Sequence, residues 1–186
     1  MKIGVCIPCF FLTDYLDAVI RQFSDWGKVV VIEQNFQDVS EANVRNAGLN
    51  QLADHDLVWT VDADEFILKE DQKRIVEDMV NGKHDVGFCP VIDYKSKDTA
   101  IMQREHKPVV IVDPKTVRFY DGRCCHFHNQ ATFEYPVHHF GIMFSVEKLE
   151  WKMKNYWDTK PYSLMDSPTK PVSPPKEIMV ALKGII

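Results

Sequence analysis

Leu57-Val58-Trp59-Thr60-Val61-Asp62-Ala63-Asp64-Glu65-Phe66 is the stretch that decides how this chain reads. Leu57 to Val61 has the apolar and β-branched make-up of a short buried strand, so Asp62, Asp64 and Glu65 emerge together at its C-terminal edge. Two carboxylates ~6 Å apart repel by roughly 3 kcal/mol at an effective dielectric of about 20, a cost that folding alone has no reason to accept. A divalent cation removes it. Hard oxygen ligands suit magnesium, manganese or calcium, and a site of two or three carboxylates leaves coordination positions for water and phosphates. A solvated acidic turn is the alternative that the Asp-x-Asp pattern, taken alone, leaves open.

At 186 residues and 45% hydrophobic content the chain can bury a full core and is expected to form one main domain, without internal repeats. A net charge of -5 argues against a broad electrostatic grip on nucleic acid or anionic membrane, because counterion release needs clustered Lys and Arg. A local basic patch stays open. The N-terminal Lys2-Ile3-Gly4-Val5-Cys6-Ile7 is strand-like and lacks a signal-peptide pattern, and no apolar run approaches the ~20 residues of a membrane span. These features predict a cytoplasmic protein.

The five cysteines are odd in number and expected to be reduced. Cys6-Ile7-Pro8-Cys9 has the spacing of a thioredoxin-like redox pair, but that reading leaves the acidic cluster unexplained. Cys124-Cys125-His126-Phe127-His128 invites a zinc reading, although adjacent cysteines do not match the usual spacings of tetrahedral sites. Buried thiols with an imidazole at a pocket edge are expected there instead.

Strands and helices alternate along the first half. A strand at Lys2 to Ile7 precedes a helix from about Asp14 to Asp25 with Leu16, Val19, Ile20 and Phe23 on one face. A second strand runs from Lys28 to Gln34. Ser40 caps the next helix, with Val44, Ala47, Leu49 and Leu52 available to pack inward. After the acidic strand, Asp71 to Asn81 reads as a helix through Ile75, Val76, Met79 and Val80, ending at Gly82 before a strand at Asp85 to Asp93. This is an open α/β sheet, in which ligands sit beyond the carboxyl ends of the strands. Pro8-Cys9-Phe10, Glu33-Gln34-Asn35 and the Asp62 cluster all meet that edge.

The second half is more irregular, with β segments at Pro108 to Asp113, Thr116 to Tyr120 and Val137 to Phe140, then a Ser145-capped helix. Residues 1–158 are expected to form the main domain, with halves at 1–94 and 95–158. Five prolines between Pro161 and Pro175 make 159–186 read as an extended arm that ends in a short apolar piece, Ile178 to Ile186. The arm is a candidate for joining copies of the chain into a homo-oligomer.

The ordered set Pro8-Cys9-Phe10, Val31-Ile32-Glu33-Gln34-Asn35, Glu41 to Leu49 and Val61-Asp62-Ala63-Asp64-Glu65-Phe66 resembles the GT-A fold, family 2-like glycosyltransferases. The distal blocks Lys107 to Ile111, His126 or His128, and His138-His139-Phe140 followed by Ser145 to Lys148 are similar to relatives whose strand ends in Asp-x-Asp-Glu-Phe. The resemblance covers roughly residues 2 to 157. It implies an open mixed α/β sheet flanked by helices, with a small C-terminal acceptor lobe.

The implied activity is metal-dependent transfer of a hexosyl or pentosyl group from a nucleotide-sugar donor, UDP- or GDP-linked, with inversion. The divalent ion would be Mn2+ or Mg2+, bridging the diphosphate and acting as a Lewis acid for the leaving group. Asp62 would hold the ribose or a metal-bound water, Asp64 the ion, and His139 would complete the metal sphere. Glu33 would read the base or ribose, with Pro8, Cys9, Phe10, Asn35, Arg45 and Asn46 lining the nucleotide pocket. A base near the acceptor hydroxyl falls to Asp93 or Glu105, with Glu134 behind them. The acceptor stays open among a saccharide, a lipid-linked saccharide, a protein and a modified nucleobase. Two other classes remain: a nucleotidyltransferase-like enzyme, and a noncatalytic or redox module using Cys6 and Cys9. A nucleotidyltransferase is expected to carry a Gly-rich basic loop after the first strand, and Pro8 to Thr13 has neither Gly nor Lys or Arg.

Overall fold

A strand buried on both faces reads as an unbroken apolar run, and β1 (Ile3–Cys9) is buried at every residue. It lies between β2 (Val29–Glu33) and β3 (Leu57–Thr60), parallel to both. The computed structural model describes residues 1–9, 15–33, 40–96, 99–103, 107–140 and 170–183. Helices α1 (Leu16–Phe23) and α2 (Glu41–Gln51) make the two parallel crossovers, and α3 (Lys69–Gly82) follows the short β4 (Glu65–Phe66). As the sequence suggests, Ser40 Oγ caps α2 by accepting from the Asn43 N–H at 3.3 Å.

The inward faces differ from the sequence reading in two places. Ala42 and Gly48 join Val44 and Leu49 on the buried side of α2, while Ala47 is exposed. On α3 Val80 is 47% exposed, because Ile75, Val76 and Met79 already fill the stripe that faces the sheet. That helix also runs through Gly82, and Lys83 takes the left-handed residue at φ 50°. Asn129 Nδ2 donates to both the Gly82 and Lys83 carbonyls and so caps the end that a glycine alone was expected to close.

The expected strand from Asp85 to Asp93 divides into β5 (Val86–Phe88) and β6 (Val91–Ser96), with Cys89 and Pro90 between. Proline has no N–H for a ladder, and the chain changes sheet there. β5 enters a six-stranded sheet of order β11-β5-β8-β3-β1-β2, where β8 is Val109–Val112 and β11 is Gln130–Thr132. β6 enters a five-stranded sheet of order β13-β7-β6-β12-β4, with β7 at Thr99–Gln103, β12 at Val137–His139 and β13 at Lys170–Pro171. A separate hairpin, β9 (Arg118–Asp121) and β10 (Cys124–His126), packs beside α2. One apolar cluster spans both sheets through Val5, Ile7, Trp59, Phe66, Ile75, Tyr94 and Phe140.

The C-terminal segment folds back on its own chain. β13 pairs antiparallel with β7, and α4 (Lys176–Ala181) buries Ile178, with Leu182 just beyond it, in the main cluster. Ile178 and Leu182 of the apolar piece expected to end an extended arm thus pack on the domain, while Val180 is exposed. The Ser145 helix lies outside the described residues.

Candidate functional site at the carboxyl edge of the sheet

Parallel register brings the sequence candidates to one edge. Cys9 of β1 pairs with Glu33 of β2, and Val61 N–H donates to the Cys6 carbonyl, so the chain leaves β3 beside the end of β1. Pro8 and Cys9 are buried and Glu33 is exposed at the strand end. Phe10, Asn35 and Glu105 lie outside the described residues.

Asp62 to Glu65 form a tight turn. The Glu65 N–H donates to the Asp62 carbonyl at 3.1 Å, and the Asp62 N–H donates to Glu65 Oε2 at 2.9 Å. This reciprocal pair turns the acids out of the strand in a fixed order. Arg45, fully buried on α2, donates through Nη2 to Asp62 Oδ1 at 2.7 Å and to Glu41 Oε1 at 2.6 Å. Arg123 Nη2 lies 2.6 Å from both Asp62 Oδ2 and Glu65 Oε2. The two guanidiniums hold the Asp62 carboxyl well below the usual carboxylate range although burial pushes the other way. Burial raises the Glu65 pKa, with Asp62 repulsion adding to it and Arg123 opposing it.

The β6-β12-β4 ladder builds the other half of the site. His139 stands opposite Asp93 on one side and Glu65 on the other, while His138 is in the alternate row with Ile92 and Phe66. The pleat sends alternate side chains to opposite faces. His138 stacks on Tyr94 and accepts or shares its hydroxyl proton at Nδ1 over 2.8 Å; burial lowers its pKa to about 4, leaving the ring neutral. His139 faces the acids, with Nδ1 2.5 Å from Asp93 Oδ1 and Nε2 3.5 Å from Asp64 Oδ1. Burial alone would lower its pKa, but Asp64 and Asp93 together raise it well above the ordinary value.

Five carboxylates, Glu41, Asp62, Asp64, Glu65 and Asp93, therefore surround two guanidiniums and one imidazole. Even a protonated His139 leaves negative charge in excess, which favours a cation beside Asp64, with His139 as a second ligand when its ring is neutral. Among the described residues no three Cys, His, Asp or Glu side chains converge as a complete metal cage. The fit is that of a two-ligand corner whose remaining positions water or phosphate oxygens would fill.

Three further candidates are placed as follows. Asn46 uses its amide on the hairpin backbone, Nδ2 to the Phe119 carbonyl at 2.8 Å and Oδ1 from the Phe119 N–H at 3.0 Å. Asp93 is 4% exposed with an oxygen engaged on His139 Nδ1, which suits orienting a ring better than drawing a proton from an acceptor. Glu134 is exposed just past β11. Arg123 and Glu65 enter the site without having been named as ligands. Glu65 was legible as the third acid of the cluster, whereas nothing local marks Arg123, since the hairpin that delivers it is set by tertiary packing.

Burial raises the thiol pKa at Cys6, Cys89 and Cys125, which is the wrong environment for thiolate chemistry. Cys6 is fully buried, and burial pushes its pKa up to about 12. Replacing Cys6 and Cys9 together by Ala is expected to leave transfer activity within a few-fold of wild type. A thiol-disulfide exchange assay that is active in wild type and silent in the double variant would overturn that expectation. In the hairpin Cys125 is buried but Cys124 is exposed, against the expectation of two buried thiols, because neighbours on a strand face opposite ways. His126 packs on Tyr120 with the rings tilted by 32° and 4.6 Å between centroids.

Residues 12–149 match the model of glycosyl transferase family 2. No curated protein gives a match. Among solved structures, S. aureus TarS 1-349 superposes with a TM-score of 0.51 at 12% identity, over 87% of this chain and 68% of that one. S. aureus TarS gives 0.50 at 13% identity, over 87% of this chain and 41% of that one. TarS 1-349 in complex with UDP-GlcNAc gives 0.38 at 18% identity, over 50% of this chain and 35% of that one. The chain thus spans less than half of the longer TarS chain, and the likeness is one of fold. No helix among the described residues is long and apolar enough to cross a membrane.

Proposed function

We propose, because the chain belongs to glycosyl transferase family 2, that this glycosyltransferase domain moves a sugar from a nucleoside-diphosphate donor in a reaction dependent on Mn2+ or Mg2+. The observation that carries the reading is the placement of His139, held by Asp93 at Nδ1 and turned toward Asp64 at Nε2. A histidine whose second nitrogen is fixed by a carboxylate is the usual arrangement of an imidazole metal ligand. Asp64 and His139 would hold the ion, which when bound supplies Lewis-acid stabilisation of the departing diphosphate. Pro8, Cys9 and Glu33 border the nucleotide end. Arg45 and Arg123 fix Asp62 from both oxygens, and the remaining lone pairs of that carboxylate would orient ribose or bound water.

A UDP-sugar is the proposed donor. TarS 1-349 has been solved with UDP-GlcNAc, which concerns TarS and guides only the choice of first probe. The transfer is read as inverting. With Asp93 committed to His139, Glu105 and Glu134 are the remaining candidates for the base. Thermal melting with UDP or UDP-GlcNAc, with and without Mn2+, tests the proposal. A ligand at about 100 times its Kd adds ~2.7 kcal/mol, or roughly 5–10 °C for a domain of this size. Equal shifts with Mn2+ and with chelator would remove metal dependence from the reading.

The metal-free protein gives a further check. Because the folded pKa of His139 is raised, its pairing with Asp64 and Asp93 stabilises fully below the unfolded value near 6.5 and is lost as pH rises through the raised folded value. In chelator, the melting-temperature gap between wild type and His139→Gln is therefore expected to be widest on the acid side of 6.5 and to close in alkali. A gap that widens with pH would refute this.

A further inference from the structure

Arg123 sits where no sequence pattern asked for it. Gly122 takes a left-handed φ of 49° at the hairpin tip, a conformation glycine adopts without strain, and Arg123 follows it into the acids. The hairpin is fixed behind it. Asn46 of α2 makes both amide bonds to Phe119, and Phe119 and Cys125 are buried on its inner face. The guanidinium is thus delivered from a clamped element to a point 2.6 Å from Asp62 Oδ2 and 2.6 Å from Glu65 Oε2. With Arg45 on Asp62 Oδ1, both Asp62 oxygens carry a guanidinium.

We propose that Arg123 is a built-in cation that occupies the Asp62 and Glu65 carboxylates and so confines divalent-ion binding to the Asp64 and His139 corner. This rests on the metal reading given above. Arg123 is a positioning residue in this role. Two carboxylates that converge on one nitrogen would, without it, repel each other and present a second oxygen site for a hard cation. A guanidinium is always charged and its planar fork can serve two carboxylates at once, so it holds them apart from the ion at any working pH. The acidic run then offers one ion position instead of two.

The test uses the full chain and Mn2+ alone, without nucleotide. Binding stoichiometry is read from the electron paramagnetic resonance of free Mn2+, and stability from melts in chelator and in Mn2+. Wild type is expected to bind one ion. Arg123→Gln should melt lower in chelator, bind a second Mn2+ or bind at least tenfold tighter, and recover most of the lost melting temperature when Mn2+ is added. Arg123→Lys, which keeps a charge, should stay near wild type in stoichiometry. Unchanged Mn2+ binding in Arg123→Gln, with the same melting loss in chelator and in Mn2+, would reduce Arg123 to a structural residue and overturn the proposal.

Should Arg123→Gln fail to fold, the double variant Arg123→Gln/Glu65→Gln removes one carboxylate with the cation. It is expected to fold and to bind one Mn2+; a double variant that still fails to fold counts against the proposal. Wild type that binds no Mn2+ would sink the metal reading of Asp64 and His139. In that case Arg123→Gln must bind one ion for the Arg123 proposal to stand, and no binding in either protein overturns it.

Discussion

Asp64→Asn is expected to abolish the Mn2+-dependent thermal shift with nucleotide and to lower transfer by about 10²- to 10⁴-fold, while the protein stays folded. The magnitude follows from losing several kcal/mol of transition-state charge stabilisation. The substitution removes a carboxylate that is 6% exposed and faces His139 Nε2 at 3.5 Å. It also removes negative charge from a cluster that carries an excess. In chelator the relieved repulsion and the lost attraction to His139 oppose each other, so the variant is expected to melt within a few degrees of wild type. Wild-type transfer rates in Asp64→Asn would end the metal-site proposal and most of the functional reading with it.

Gly48→Ala is expected to be among the most damaging single changes away from the acids. A Cβ on Gly48 would stand 2.1 Å from Cys6 Sγ and 3.2 Å from Cys6 Cβ, so α2 cannot keep its distance from β1. Cys6 is fully buried at mid-strand and has a short side chain with nowhere to swing. Overpacking of this kind costs about 1–3 kcal/mol, a fall of roughly 2–12 °C for a domain of this size. Because α2 also carries Arg45 and the Asn46 anchor of the hairpin, weaker donor binding should accompany the loss. The variant Gly48→Ala/Cys6→Gly, which removes both opposing atoms, should suffer less from the added methyl than the Gly48 change does against Cys6. Simple additivity of the two changes in a double-mutant cycle would show that the contact does not set the helix-to-strand distance.

Those two expectations draw on different levels of information. The acids at the end of β3 were legible because a run of carboxylates that follows a short apolar strand must lie at that strand's carboxyl end. The alternation of His138 and His139 was legible for the same kind of reason, since a pleated strand must send neighbours to opposite faces. Helix existence followed from apolar periodicity and from Ser40 at the start of α2. The split of the Asp85 to Asp93 segment was also written in the chain, at Pro90, although it was read as one strand. Val80 and Ala47 were misassigned because a helix buries only the stripe its neighbour can reach, and sequence periodicity does not fix the width of that stripe.

By itself the sequence determined that acids would gather at the carboxyl edge of an open α/β sheet, because strand period and crossover length are local properties of the chain. Only the tertiary structure decided which groups answer those acids. Arg123 comes from a hairpin 58 residues beyond Glu65, and Asp93 meets His139 across 46 positions through the β6-β12 register. It likewise placed Lys170–Pro171 of the tail against β7. Charge compensation and edge pairing act through space between segments far apart in the chain, so no local pattern encodes the partner, and folding alone brings it within the few ångströms where the interaction has force.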